Sequence, residues 1–150
     1  MNVTLQYASE RLVEEGIRIT RQRELILQYV YGEKALSHPS AEQLFETIYT
    51  DHPKVVSLPT VYKNIRVLRQ LGLLNELYIG QNGIARYDKL LHPHHHLHCT
   101  CCGSISDVVP ALWIQQEAPA GFQVDHVYVE ISGTCESCRA KQSSNLAIAM

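Results

Sequence analysis

Two Cys-x-x-Cys pairs constrain this 150-residue chain more than any other feature of its sequence. Cys99 and Cys102 form the first pair, and Cys135 and Cys138 form the second. Each pair lets two thiolates face one ion, and four thiolates make the tetrahedral soft-ligand set that zinc prefers. Because such a site has no open position for a substrate, the pattern predicts a structural zinc; a redox pair or unrelated thiols are the alternative. Cys101 lies inside the first pair, where it could replace a neighbour as ligand.

The composition is that of a globular chain, with 45% hydrophobic and 19% charged residues. A net charge of −2 argues against a broadly basic nucleic-acid binder, but it does not exclude a local basic face. No apolar stretch approaches the roughly 20 residues needed to cross a bilayer, and the first residues lack the pattern of a secretory signal. We therefore expect a cytoplasmic protein with reduced thiols and no membrane partner.

The first half of the chain has helical periodicity with clear helix-start signals. The predicted N-caps are Thr20, Ser40 and Ser57. Two short alternating segments then flank Asn82-Gly83, a dipeptide typical of tight hairpin turns. Several helices followed by a hairpin are the order of a winged helix-turn-helix.

The second half has the alternation of β-strands, with a short helix predicted at Pro110–Ala118. The sequence thus predicts an α+β fold with three parts. A winged helix-turn-helix, the DNA-binding domain, occupies residues 1–90, and a small α/β dimerisation and metal-binding domain with the zinc occupies residues 91–140. Residues 141–150 are predicted to be a flexible tail.

A histidine-rich run, His92-Pro93-His94-His95-His96-Leu97-His98, precedes the first cysteine pair. In an extended strand, alternate imidazoles face the same side. Together with Asp88 and Asp107 they provide nitrogen and oxygen ligands, a set that suits Fe(II), Mn(II), Ni(II) or Zn(II). A solvated loop that binds metal adventitiously is the alternative.

The helix that begins after Ser57 has a basic and hydroxylated outer face, which suits contacts with phosphates and base edges. An ordinary solvated helix face would look similar. The predicted DNA contacts are Thr60, Tyr62, Lys63 and Arg66 on this helix and Arg23 on an earlier one.

Three further stretches carry a resemblance to a known family: Gly16–Arg23, His38–Glu42 and Thr60–Ile65. Together with the histidine run and the cysteine pairs, they make the chain similar to the ferric uptake regulator (Fur) family over about residues 10–140. The resemblance implies a homodimeric transcriptional repressor, not an enzyme, that binds AT-rich inverted repeats in double-stranded DNA when metal is bound.

Within that family the chain most resembles the PerR-type peroxide sensors. In these, regulatory Fe(II) reacts with peroxide and a ligand histidine is oxidised, so that the operator is released; His38 and His94 are the candidate targets. The resemblance implies Fe(II) or Mn(II) as the regulatory ion, and the additional His92, His95 and His98 leave Ni(II) or Zn(II) open. The regulatory ligands that it implies are His38, Asp88, His94, His96 and Asp107.

Parts of the sequence are also compatible with three other functions. The first is a sensor of metal supply in the same family, responding to iron, manganese, nickel or zinc. The second is a metalloenzyme that uses the histidine cluster as an open site, although no nucleophile and base are paired for it. The third is a zinc-ribbon interaction module, which the winged-helix half of the chain argues against.

Overall fold

The computed structural model describes residues 3–80, 82–89, 94–108, 120–123 and 129–148, with side chains as far as residue 142. It divides into two compact units, Met1–His92 and Pro93–Met150. Each unit is described by itself.

Four helices build the first unit: α1 (Leu5–Glu14), α2 (Arg21–Tyr31), α3 (Ala41–Asp51) and α4 (Leu58–Gln70). Each begins at a hydroxyl side chain that accepts a backbone N–H of the first turn, so an orphan donor is satisfied. These N-caps are Thr4, Thr20, Ser40 and Ser57. The prediction of N-caps at the last three residues is confirmed.

A β-hairpin follows the helices, with β1 at Asn75–Tyr78 and β2 at Ala85–Asp88. The strands are antiparallel, with Asn75 opposite Asp88. One hydrophobic core joins the four helices to the residues that lead into the hairpin and to Tyr87 of β2. The helix order and the hairpin confirm the predicted winged helix-turn-helix, in which α4 is the helix before the wing.

Three strands and a helix make up the described part of the second unit: β3 (His95–Cys99), β4 (Ile105–Val108), β5 (Glu130–Gly133) and α5 (Glu136–Ile148). The sheet has the order β4-β3-β5. The central strand is antiparallel to β4 and parallel to β5. This pairing places the end of β3, at Cys99, opposite Gly133, just before the second cysteine pair.

The structure differs from the sequence prediction at the carboxyl end. Residues 141–148 belong to a helix, where the sequence predicted a flexible tail. The helix starts within the second cysteine pair, where the N–H of Arg139 donates to the carbonyl of Cys135, and helix-forming residues such as Ala140 and Lys141 extend it. The short helix predicted at Pro110–Ala118 lies outside the described residues. In the described part of the chain, no helix is long and apolar enough to cross a membrane.

Candidate metal centres and nucleic-acid interface

Four thiols converge between the end of β3 and the start of α5. The sulfur atoms of Cys99, Cys102, Cys135 and Cys138 all lie within 4.8 Å of one another. The Cys102 and Cys135 sulfurs are 3.8 Å apart, and four Zn–S bonds of about 2.3 Å in a tetrahedron also separate their sulfurs by about 3.8 Å. The arrangement therefore fits a zinc ion, as the two Cys-x-x-Cys pairs predicted.

Backbone N–H groups stabilise negative charge on the sulfur of Cys99 in this cluster. The N–H of Cys135 donates to the sulfur of Cys99 at 3.2 Å. This bond and one from the backbone of Cys102 lower the pKa of Cys99 to about 6, and the thiolate form is the metal ligand. A contact with the Cys101 thiol raises the pKa of Cys138. Cys101 itself is exposed and is not one of the four clustered sulfurs.

In the first unit, His38 and Asp88 form a buried imidazole–carboxylate pair. The Nε2 atom of His38 lies 3.9 Å from Oδ1 of Asp88, while Nδ1 shares a hydrogen bond with the hydroxyl of Ser37 at 3.0 Å. Two ligands of one ion, each at about 2.1 Å, are at most about 4.2 Å apart. The pair can therefore contribute to one metal site, with Ser37 orienting the imidazole.

In the second unit, two histidines and a carboxylate converge on the face of β3. His94 Nε2 and His96 Nε2 are 3.0 Å apart. Oδ1 of Asp107 lies 3.4 Å from the first and 3.6 Å from the second. Asp107 stands opposite His96 in the β3–β4 register, so strand pairing itself brings the carboxylate to the imidazoles. These separations are those of ligands around a single divalent ion.

The remaining histidines of the run lie elsewhere. His98 directs Nδ1 towards Oε1 of Glu130 at 3.5 Å. His95 is half-buried on β3, and His92 lies outside the described residues. Strand alternation thus separates His95 from the convergent pair, His94 and His96.

The outer face of α4 carries the predicted nucleic-acid contacts. Tyr62, Lys63 and Arg66 are exposed, while Val61 and Ile65 face the core. The hydroxyl of Thr60 is 2.8 Å from that of Ser57 at the helix start.

Arg23 is half-buried, because Nε donates to Oδ1 of Asn64 at 2.8 Å and the guanidinium also donates to the carbonyl of Arg18. These two hydrogen bonds fix the direction of the Arg23 side chain.

Comparison with known proteins identifies the family of this chain. The model of the ferric uptake regulator family matches residues 14–132. The chain belongs to the ferric uptake regulator family. The peroxide operon regulator of Bacillus subtilis (strain 168) is 37% identical over 143 residues, which cover 93% of this chain and 96% of the relative.

Solved structures agree with membership of the ferric uptake regulator family. PerR from Streptococcus pyogenes, described in a study of peroxide sensing and gene regulation, is 32% identical with a TM-score of 0.52 and covers 92% of this chain and 95% of its own. The Vibrio cholerae ferric uptake regulator has a TM-score of 0.69 at 23% identity and covers 85% of this chain and 98% of its own. The second likeness concerns the fold alone. The chain is thus a metal-sensing regulator of the family.

The sequence analysis did not predict the contacts of three polar residues. Asn64 is buried on α4, where it joins Arg23 to the carbonyl of Thr60. The sequence signal for this role was that Asn64 is a polar residue within the apolar stripe of α4. Glu42 accepts a hydrogen bond from Tyr62, 20 positions away, and Arg86 donates one to Gln43, 43 positions away. Because the partners are so far apart in the sequence, neither pairing had a local signal.

Proposed function

We propose that this protein is a metal-dependent DNA-binding repressor that senses peroxide through oxidation of a metal-bound histidine. The observation that supports it most is the convergence of His94, His96 and Asp107, an open nitrogen and oxygen ligand set. Such ligands suit Fe(II) or Mn(II), whereas four thiolates are the softer set that zinc prefers. The similarity to the Bacillus subtilis peroxide operon regulator points the same way.

The proposed ligands of the regulatory ion are His38, Asp88, His94, His96 and Asp107. The resemblance to PerR-type proteins and the donor chemistry of the two groups support this assignment. When Fe(II) is bound, it supplies the one-electron chemistry by which peroxide oxidises a neighbouring imidazole. His38 and His94 are the proposed targets, since an oxidised imidazole is a weaker ligand. Ni(II) or Zn(II) could occupy the same ligands.

A zinc ion held by Cys99, Cys102, Cys135 and Cys138 is the proposed structural metal. With four protein ligands it has no free coordination position, so its role is architectural. The donor set and the 3.8 Å sulfur separation support zinc over a harder ion.

The proposed partner is a double-stranded operator with an AT-rich inverted repeat, bound by a homodimer. A two-fold operator matches the symmetry of a dimer, with one α4 helix for each half-site. Because a bacterial repressor acts at the chromosome, we infer a cytoplasmic protein. The proposed role is binding and release of DNA, without catalytic turnover. The proposed DNA contacts are Thr60, Tyr62, Lys63 and Arg66 on α4 and Arg23 on α2.

The decisive experiment is operator binding by zinc-loaded protein with Fe(II) or Mn(II), before and after peroxide, followed by mass spectrometry. We expect an added oxygen on His38 or His94 and loss of operator binding in the Fe(II) form only. The Mn(II) form is the matched control, and His95→Ala, outside the proposed ligands, should respond as wild type does. Unmodified histidines with operator binding intact would remove the peroxide-sensing claim.

A sensor of metal supply is the second candidate, because the same nitrogen and oxygen ligands accept several divalent ions. It predicts that operator binding follows the free concentration of one metal and ignores peroxide. Titration with Fe(II), Mn(II), Ni(II) and Zn(II) in separate experiments distinguishes the two functions.

A further inference from the structure

The first turn of α3, Ser40–Gln43, contacts both the region of the predicted metal ligand His38 and the predicted DNA-contacting helix α4. His38 and Pro39 lead directly into this turn. His38 has a φ of +46°, in the left-handed region that a non-glycine residue rarely adopts. Backbone strain of this kind persists only where surrounding contacts hold it.

Two contacts from β2 hold the His38–Pro39 segment. The N–H of Tyr87, next to Asp88, donates to the carbonyl of Pro39 at 3.0 Å. The Nη1 atom of Arg86 is 3.4 Å from the carbonyl of His38 and also donates to Oε1 of Gln43. The strand that carries Asp88 is therefore tied to the backbone of His38 and to the start of α3.

Gln43 transmits this tie into the helix. Its Oε1 accepts the N–H of Ser40 at 3.0 Å, while its own N–H donates to the Ser40 hydroxyl at 3.1 Å. This capping box fixes the first turn, including Glu42, which stands beside Gln43.

Glu42 reaches the exposed face of α4. The hydroxyl of Tyr62, whose side chain is 43% exposed, donates to Oε1 of Glu42. This bond lowers the pKa of Glu42 and raises that of Tyr62, so the carboxylate is the acceptor at neutral pH. An exposed hydrogen bond contributes little to stability, but it selects one direction for a side chain that would otherwise rotate freely.

We propose that Glu42 is a positioning residue for DNA binding, which holds Tyr62 on α4, and that the Ser40–Gln43 turn couples it to metal at His38 and Asp88 through Arg86. The inference rests on the proposed function and adds residues outside the predicted ligand and DNA-contact sets. Coupling is a free energy shared between two sites. Loss of the hydrogen bonds from Arg86 should therefore change how much bound metal raises operator affinity.

The test is operator affinity of the full-length, zinc-loaded protein with and without Mn(II), measured by fluorescence anisotropy. The duplex is one selected by the wild-type protein. We expect Arg86→Gln to reduce the gain in affinity that Mn(II) gives by about fivefold, the lower end of usual site-to-site coupling. Its affinity without Mn(II) should stay that of wild type.

A double-mutant cycle tests the positioning step. Glu42→Ala and Tyr62→Phe should each weaken Mn(II)-dependent binding by about fivefold, and the double variant by no more than either one, because both remove the same hydrogen bond. Glu42→Gln keeps an acceptor oxygen and should restore most of the affinity. Glu46→Ala, an exposed glutamate one turn further along α3, is the matched control.

The outcomes separate the inference from the proposed function. If wild type binds with Mn(II) but Glu42→Ala behaves as Glu46→Ala does, the positioning role is wrong. Losses that multiply in the double variant, or an unchanged Mn(II) response in Arg86→Gln, also overturn the proposal. If wild type itself gains no operator affinity from any of the metals, the proposed function fails and the inference with it.

Discussion

Tyr31 is a buried side chain of the first unit whose hydroxyl group has a specific backbone partner. The hydroxyl of Tyr31 donates to the carbonyl of Leu73 at 2.9 Å, and burial raises the pKa of this tyrosine. The two residues join the end of α2 to the chain after α4. A buried carbonyl that loses its donor bears the full cost of desolvation.

We therefore expect Tyr31→Phe to lower the free energy of unfolding by about 1–3 kcal/mol, because the Leu73 carbonyl loses its partner. Urea denaturation measures the change. Tyr49→Phe, at a 42% exposed position on α3, is the control and should be close to neutral. Equal stability of the two variants would show that water or a rearranged partner satisfies the carbonyl.

A second residue-scale prediction concerns acid stability. Hydrogen bonds from Lys34, at 2.8 Å, and from Tyr29 lower the pKa of Asp51 below its ordinary value of 3.8. A lowered folded-state pKa contributes stability above the unfolded value, and that stability is lost as the pH falls through the folded one. Asp51→Asn should thus lose less stability than wild type between neutral pH and pH values below 3.8.

Thermal melting across this pH range checks the Asp51 prediction. Glu46→Gln, which changes another exposed carboxylate of α3, should melt with the pH dependence of wild type. Parallel pH curves for wild type and Asp51→Asn would mean that the Lys34 contact adds nothing in solution.

At the scale of the element, the start of α3 has two tasks. Its capping box satisfies the N–H groups of Ser40 and Gln43, and Oε1 of Gln43 also accepts the hydrogen bond from Arg86. Because the bonds of the capping box are local, they hold the first turn of α3 together as one unit, to which Arg86 is attached.

Ser40→Ala should cost about 1 kcal/mol, the usual loss when an N-cap hydroxyl is removed. Chemical denaturation measures this cost. Thr50→Ala, near the other end of α3, removes only a hydroxyl bonded within the helix and should be neutral or slightly stabilising. A Ser40→Ala variant as stable as Thr50→Ala would contradict the role of the cap.

At the scale of the whole molecule, the described residues of the two units differ in how much apolar surface they bury. The first has a hydrophobic core drawn from all four of its helices. Among the described residues of the second unit, the buried apolar side chains are those of Cys99 and Cys138. If zinc binds the four thiols, its binding energy adds to the folding energy of this unit, whose described residues bury few apolar side chains.

Cys135→Ser should therefore abolish zinc binding and unfold Pro93–Met150, while Met1–His92 keeps its core. Metal analysis gives the zinc content, and hydrogen exchange reports amide protection in β3 against that in α2. Cys101→Ser is the matched control, since its sulfur is outside the four-thiol cluster, and it should retain one zinc per chain. Retained zinc in Cys135→Ser would contradict the need for all four thiols, and loss of zinc in Cys101→Ser would show that Cys101 is a ligand.

Local chemistry made much of the fold predictable. Thr20, Ser40 and Ser57 bond to backbone groups three residues away, so the helix starts are visible in the sequence. Regular alternation and Asn82-Gly83 likewise indicated the hairpin. Spacing within the cysteine pairs and the His94–His96 alternation predicted which ligands share a face. The helical continuation of α5 was missed, because its sequence has no strong amphipathic period.

Tertiary structure alone decided which distant side chains meet. Arg23 and Asn64 are 41 positions apart, and Tyr62 and Glu42 are 20 apart. No periodicity links such pairs; helix packing in the first unit brings them together. The four cysteines show both sides of this division. Their spacing specifies the soft-ligand chemistry of the site, but only the pairing of β3 with β5 places the two cysteine pairs around one point, since a strand register is a property of two segments and not of either alone.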